Sequence, residues 1–141
     1  MKLLYLDSSA FVKLYLAEAE SEKVEELLGE FPNLASSAIA YAEVCGAFAV
    51  RFHRGDLGEE EYRAARLAFH NDWAKVHVCE LEPPISLLAA DIMKAHKGLR
   101  AMDALHLASA LALRQSVSLR FVTFDARLEE AADKLMPEAV A

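Results

Sequence analysis

The sequence predicts an α/β/α sandwich with a central parallel sheet, an architecture of the α/β class. Residues 3–6 form a continuous apolar run, as in a strand buried on both faces, and residues 120–124 form a second apolar strand pattern. Each predicted strand is followed by at least one segment with helical periodicity, which favours parallel strands joined by right-handed crossovers. With 141 residues and no linker, repeat or low-complexity segment, the chain is expected to form one domain over 1–141.

The first strand is predicted to stop at Asp7, and Ser8 or Ser9 is expected to cap the helix that follows. Periodicity predicts three further helices in the first half, over 21–30, 38–53 and 59–73, and a short strand over 34–36. In the last of these helices the residues expected to pack inward are Tyr62, Leu67, Phe69 and Trp73.

The second half is predicted to begin with a short strand over 76–81. A helix then opens on Pro83 and Pro84, runs to about Lys97, and is ended by Gly98. The last helix is predicted over 126–135, directly after the final strand.

The helix over 99–114 is unusually apolar, because only Asp103, His106 and Ser109 are polar between its flanking arginines. Apolar residues fall on nearly every side, so the helix is expected to be buried on most of its faces. An ionised carboxylate in such a setting needs a partner or a metal. Asp103 is therefore a candidate N-cap, a candidate partner for Arg100 or His106, or one wall of an acidic metal pocket.

Composition narrows the possible functions. The chain has 15 Lys and Arg against 22 Asp and Glu, a net charge of −7, which disfavours strong nonspecific binding to nucleic acid. It leaves room for a basic partner, and for a nucleic-acid substrate if a bound cation inverts the local charge. Cys45 and Cys79 match no metal-binding spacing and are expected to be buried, reduced thiols. The apolar run at the N-terminus is too short for a signal peptide, so a cytoplasmic protein is expected.

Four carboxylates are candidates for one shared site. Asp7 and Asp125 each follow a predicted strand, and ligands of open α/β sheets bind at the carboxyl ends of strands. Glu43 and Asp103 lie early in apolar helices, which begin at that same edge. Clustered carboxylates repel one another unless they share protons or bind a cation, and their hard oxygen atoms suit Mg²⁺ or Mn²⁺. The hydroxyl groups placed to support them belong to Ser8, Ser9 and Thr123.

Each candidate also has a local interpretation that the sequence leaves open. Asp7 and Asp125 are candidate caps of the helices that follow them, and Glu43 is a candidate solvent-facing residue. His106 is expected in the core or in a groove wall, in preference to a role as a general base.

Four segments of the chain resemble one known family. They read Y-L-D-S-S-A-F-V-K-L-Y, A-Y-A-E-V, R-A-M-D-A-L-H-L-A-S-A and F-V-T-F-D-A-R-L. Their order and spacing resemble those of PIN-domain ribonucleases, and in particular the VapC toxins of toxin–antitoxin pairs. The resemblance covers essentially the whole chain.

The resemblance implies a PIN-like α/β/α fold and endonucleolytic cleavage of RNA that depends on Mg²⁺, with Mn²⁺ as a possible substitute. It implies that Asp7, Glu43, Asp103 and Asp125 form the catalytic metal site. It also places two hydroxyls beside the acids, those of Ser8 and Thr123, while Arg100 lies where it could touch a substrate phosphate. Family members are usually homodimers, each neutralised by a cognate antitoxin protein.

Two other functions remain open at this point. One is a non-catalytic module of the same fold that binds RNA or an antitoxin. The other is a receiver-like phospho-acceptor domain, which also places acids at strand ends. A receiver would have a second acid beside the first strand, where this chain has Ser8 and Ser9 after Asp7.

Overall fold

The computed structural model describes all residues from Met1 to Ala141 and contains one four-stranded sheet. The strands are β1 (Lys2–Leu6), β2 (Asn33–Ser37), β3 (His77–Cys79) and β4 (Ser118–Val122). They lie in the order β3-β2-β1-β4, and every pair is parallel. The predicted parallel sheet is thereby confirmed, with β1 in its interior and β4 at one edge.

Seven helices surround the sheet. They are α1 (Ser8–Val12), α2 (Ser21–Glu30), α3 (Ala40–His53), α4 (Glu59–Trp73), α5 (Pro83–Ala95), α6 (Ala101–Leu113) and α7 (Ala126–Leu135). The predicted bounds of α2, α4 and α7 are confirmed at both ends. None of the helices is both long and apolar enough to cross a lipid bilayer.

The alternation of side chains along β1 divides the core into two parts, one on each face of the sheet. Leu3 and Tyr5 belong to a cluster formed with α5, α6 and α7. Leu4 and Leu6 belong to a second cluster, which includes buried residues of α1 to α4 such as Phe48. Helices therefore cover both faces of the sheet, and the predicted α/β/α sandwich is confirmed.

Two local predictions were wrong. Leu67 does not pack inward but is 61% exposed, because it projects from the side of α4 opposite to the buried Ala65 and Phe69. Neither Ser8 nor Ser9 caps α1: the cap is Asp7, whose side chain accepts a hydrogen bond from the backbone N–H of Ala10.

The two cysteines are less buried than expected. Cys45 and Cys79 are both free thiols of intermediate exposure. Cys45 lies on α3 and Cys79 ends β3, so the two belong to different elements.

Candidate active site

Asp7 lies at the carboxyl end of the interior strand β1 and is only 4% exposed. Three donors reach its carboxylate. Oδ1 accepts from Ser9 Oγ at 2.7 Å and from the N–H of Ala10 at 3.0 Å, and Oδ2 accepts from Thr123 Oγ1 at 2.5 Å. Since each carboxylate oxygen can accept two hydrogen bonds, Oδ2 keeps capacity for a further ligand.

Burial raises the pKa of Asp7 above its ordinary value, although the hydrogen bonds from Thr123 and Ser9 and the charge of His106 oppose the rise. Burial therefore disfavours the negative charge of Asp7, and the hydrogen-bond donors around it compensate for only part of that cost. A cation placed against Asp7 would offset that cost.

The segment after β4 is fastened to Asp7 by two hydroxyls. Ser9 Oγ accepts from the N–H of Phe124 at 3.0 Å, and Thr123 Oγ1 accepts from the N–H of Asp125 at 3.1 Å. Both hydroxyls donate to Asp7, so they link the ends of β1 and β4 through one carboxylate. Asp125 is placed by this linkage near the same sheet edge.

Asp125 is the N-cap of α7. Its Oδ1 accepts from the N–H groups of Arg127 at 2.9 Å and Leu128 at 3.0 Å. The local interpretation of Asp125 as a cap is thus confirmed. The residue is exposed, and these bonds occupy only one of its two carboxylate oxygens.

Asp103 does not cap α6, contrary to one of the open interpretations, because Arg100 holds the cap position and Asp103 lies in the first turn. Burial raises the pKa of Asp103, and the negative charges of Asp125 and Asp7 raise it further. Two carboxylates from distant parts of the sequence therefore act electrostatically on Asp103. The candidate ion pair with Arg100 is absent.

Glu43, on α3, is not the solvent-facing residue of the local interpretation. Its Oε1 accepts from Ser8 Oγ at 2.6 Å and lies 2.7 Å from Nε2 of His106. Burial alone would raise its pKa, but the hydrogen bonds from His106 and Ser8, with the charge of His106, bring the pKa below its ordinary value. Glu43 is therefore held as a carboxylate.

His106 connects Glu43 to the rest of the site. It is buried, as expected, and its Nδ1 lies 2.8 Å from the hydroxyl of Tyr5 on β1. Its charge also acts on Asp7 and on Asp103. A place in the core or in a groove wall was predicted for His106 from the sequence, but its bond to Glu43 was not. The available signal was its position three residues after Asp103, on the same side of an apolar helix.

The donor set fits a hard divalent cation bound through few direct ligands. In the structure no three Asp, Glu, His or Cys side chains are arranged to hold one ion. Mg²⁺ commonly takes one or two carboxylates and fills its other positions with water and phosphate oxygens. Oxygen atoms without a donor remain on Glu43 and Asp125, and Asp7 keeps capacity on Oδ2, so a cation could be bound without loss of the hydrogen bonds described.

A groove of about 530 Å³ lies between the α5–α6 connection and α7, and its lining residue Arg127 is two positions after Asp125. Its cationic lining residues include Lys97 and Arg127, neither of which forms an ion pair. Arg100 is exposed at the start of α6, three residues before Asp103. The acidic site therefore has an uncompensated basic flank, although the whole chain is acidic.

Comparison with known proteins gives a consistent result. The family model of the PIN domain matches residues 4–134. Ribonuclease VapC45 of Mycobacterium tuberculosis is 37% identical over 132 residues, which cover 94% of this chain and 90% of that protein. Ribonuclease VapC46 of the same organism is 36% identical over 142 residues, covering 100% of this chain and 98% of that protein.

Two solved structures share the fold at lower sequence identity. A toxin–antitoxin complex from Klebsiella pneumoniae has a TM-score of 0.67 at 17% identity, covering 98% of this chain and 95% of that one. The sarcin–ricin loop cleaving toxin VapC20 of Mycobacterium tuberculosis has a TM-score of 0.65 at 17% identity, covering 91% and 94%. At that identity these two likenesses bear on the fold alone.

Proposed function

This chain belongs to the PIN-domain family, in its VapC group, and we propose that it is a metal-dependent endoribonuclease that acts as the toxin of a toxin–antitoxin pair. The observation that carries the proposal is the convergence of Asp103, Asp125 and Asp7 on one edge of the sheet, where the charges of Asp125 and Asp7 raise the pKa of Asp103. Such an arrangement lowers stability unless a cation joins it, which is typical of a site built for function. The names of the relatives supply the reaction class.

The proposed cofactor is Mg²⁺, with Mn²⁺ as a possible substitute. The residues that would hold it, either directly or through its coordinated water molecules, are Asp7, Glu43, Asp103 and Asp125. When bound, the ion would lower the pKa of a coordinated water and neutralise charge on the scissile phosphate. The same chemistry needs no histidine as general base.

The other residues of the site orient the acids. Thr123 and Ser9 fix both oxygens of Asp7, and the N-cap bonds of Asp125 fix its Oδ1. Ser8 fixes Oε1 of Glu43. Ligands held in this way lose little conformational freedom when an ion and a phosphate arrive.

We assign the contact with the RNA backbone to the basic flank of the site. Lys97, Arg100 and Arg127 are exposed and free of ion pairs, so their charges are available to phosphate groups. Backbone contacts of this kind contribute affinity and orientation but carry no sequence information. These contacts would place an RNA strand across the four acids, with its phosphate groups toward the basic side chains.

The proposed protein partner is a cognate antitoxin, and the active species is proposed to be a homodimer. An acidic pocket in a chain of net charge −7 would attract a basic segment of such a partner. The likeness to the toxin of a toxin–antitoxin complex supports this proposal at the level of the fold. Light scattering of the purified chain, alone and with its partner, tests both assemblies.

A non-catalytic module that binds RNA or an antitoxin is the alternative within the same fold. It predicts binding without turnover under any metal. The full set of four acids with their supporting hydroxyls favours catalysis over that alternative.

The experiment that tests the proposed function is cleavage of a mixed RNA pool by the wild-type chain with Mg²⁺, Mn²⁺ or EDTA. We expect defined fragments with either metal and none with EDTA. Binding of RNA without cleavage in all three conditions would favour the non-catalytic alternative. Cleavage in EDTA would contradict the metal mechanism.

A further inference from the structure

We propose that Tyr5 and His106 form a positioning pair, which holds Oε1 of Glu43 so that its other oxygen, Oε2, faces a bound cation. This inference rests on the proposed function, because it assumes that the acids bind a metal. It assigns a role to two buried residues that neither act on RNA nor ligate the ion.

Two donors converge on the same oxygen of Glu43. Ser8 Oγ lies 2.6 Å from Oε1 and Nε2 of His106 lies 2.7 Å from it, while Oε2 has no donor. A carboxylate bound twice through one oxygen cannot rotate without breaking both bonds. The direction of the free oxygen is therefore fixed. The side chain of Glu43 is 26% exposed.

The Glu43 end of the hydrogen-bond chain has one direction. A carboxylate only accepts hydrogen bonds, so Nε2 of His106 carries a proton and donates a hydrogen bond to Glu43. The other ring nitrogen, Nδ1, lies 2.8 Å from the hydroxyl of Tyr5, which accepts from a charged ring and donates to a neutral one. In both cases Tyr5 holds the ring with Nε2–H directed at Glu43.

The pair is anchored in the buried core of the fold. Tyr5 is fully buried on the interior strand, with its ring stacked on Phe121 at 5.2 Å and 14°. His106 meets the edge of that ring at 5.9 Å and is 2% exposed. Packing locks both rings, so the position of Nε2 is set by the sheet and by α6, and is independent of solvent.

Packing alone would be served equally well by apolar side chains here. A buried hydroxyl and a buried imidazole are costly unless their hydrogen bonds are satisfied. The partner that satisfies the outer end of this chain is Glu43, one of the four candidate ligands. The hydrogen bonds of Tyr5 and His106 therefore connect Glu43 to the buried core and restrict its movement.

The molecule contains a matched control pair. The hydroxyl of Tyr41 lies 2.9 Å from Nδ1 of His70, and the same two atoms are 2.8 Å apart in Tyr5 and His106. This second pair is exposed and His70 makes no contact with a candidate ligand. Substitutions there remove the same bond without reaching the acids.

The test is a titration of Mg²⁺ or Mn²⁺ followed by the thermal unfolding midpoint, with RNA cleavage measured in parallel. The variants are Tyr5→Phe, His106→Leu and His106→Gln, with Tyr41→Phe as the control. Glutamine keeps an N–H donor near the position of Nε2 and is the conservative rescue. Tyr5→Phe removes a single oxygen atom, so it remains informative if His106→Leu fails to fold.

We expect His106→Leu to raise the metal concentration at half-saturation by about 10- to 100-fold, the usual effect of losing a group that orients a ligand. Tyr5→Phe should raise it by less, His106→Gln should recover most of the loss, and Tyr41→Phe should match the wild type. A purely structural role would lower the metal-free midpoint and leave the half-saturating concentration unchanged, which would overturn the inference.

The same experiment separates this inference from the proposed function. If the wild type responds to metal and cleaves RNA while Tyr5→Phe and His106→Leu titrate like the control, only the positioning role is overturned. If the wild type neither responds to metal nor cleaves RNA, the proposed function is overturned and the positioning role with it.

Discussion

Asp7 and Asp125 occupy equivalent places in the sequence but different places in the molecule. Each follows a strand, and each caps the helix that comes next. Asp7 follows the interior strand β1 and is buried under three hydrogen bonds, whereas Asp125 follows the edge strand β4 and is exposed. The position of a strand within the sheet, which the motif does not encode, thus decides how strongly an acid is desolvated.

The difference separates two contributions to one site. Asp7 has a raised pKa because of burial, so its negative charge lowers the stability of the fold. A cation bound to Asp7 would therefore be more stabilising than one bound to the exposed acid. Asp125 supplies charge from the solvent side and acts on Asp103. If this comparison is correct, substitutions at the buried Asp7 and its donors should reduce activity most. At the exposed Asp125, the effect of losing the negative charge should be separable from the effect of losing the helix cap.

The largest effect is expected for Asp7→Asn. The substitution keeps the shape of the side chain but removes the charge on which the metal site centres, so RNA cleavage should fall by about 10³-fold or more, since several kcal/mol of transition-state stabilisation are lost. Quantified fragment yields at saturating Mg²⁺ measure this. Circular dichroism melting is the control for the fold, and retention of full activity would contradict the assignment of Asp7.

A smaller loss is expected for Thr123→Val, which removes the 2.5 Å donor to Asp7 and leaves its volume almost unchanged. The lost bond favoured the ionised form, so the pKa of Asp7 should rise further and the acid limb of the pH–rate profile should move to higher pH. Activity at neutral pH should fall about tenfold. A profile that moves to lower pH would contradict the role of Thr123.

Charge reversal on the basic flank should weaken RNA binding by several-fold and leave the acids intact. For Arg127→Glu in an inactive Asp7→Asn background, we expect the dependence of log affinity on log salt to lose a slope of about 0.7 for the lost phosphate contact. Fluorescence anisotropy with a single-stranded oligonucleotide measures it. Lys75→Glu is the matched control, since Lys75 lies away from that groove. An equal effect of both substitutions would assign the change to net charge.

Two substitutions at Asp125 should separate its cap from its charge. Asp125→Ala loses both hydrogen bonds to the first turn of α7 and should lower the free energy of unfolding by about 1 kcal/mol. Asp125→Asn keeps an acceptor and should lose much less stability, while cleavage falls in both variants. Urea denaturation measures stability. Equal stability of the two variants would show that the cap contributes little.

The smallest effect is a gain of stability for Asp103→Asn without metal. The folded-state pKa of Asp103 is raised, so its ionisation destabilises the native state as pH rises through the acidic range, and the cost persists at neutral pH. The substitution should therefore stabilise the protein slightly at pH 7 and have no such effect at low pH. Thermal melts across pH measure this, and destabilisation at pH 7 would contradict it.

Much of the fold was readable from the sequence because its periodicity and breakers are clear. The bounds of α2, α4 and α7 follow from the helical periodicity of their sequences. Leu67 could not be placed, since an apolar residue on the exposed side of α4 looks the same in sequence as a core residue.

The site was partly readable as well. Asp7 and Asp125 were found from the strand-end rule, and Glu43 and Asp103 from their apolar helices. The bond between His106 and Glu43 was not, because it joins α6 and α3, which cover opposite faces of the sheet, and the two residues are 63 positions apart in the sequence. Sequence spacing gives no distance for such a contact.

The central claim is that acids from four distant segments hold one divalent cation. The most direct measurement is anomalous diffraction from crystals of the protein soaked in Mn²⁺. We predict a peak at the edge of the sheet, bonded to Asp7 and at least one of the other three acids, with metal–oxygen distances near 2.1 Å. A Mn²⁺ ion bound only elsewhere on the surface, with the four acids free, would contradict the account.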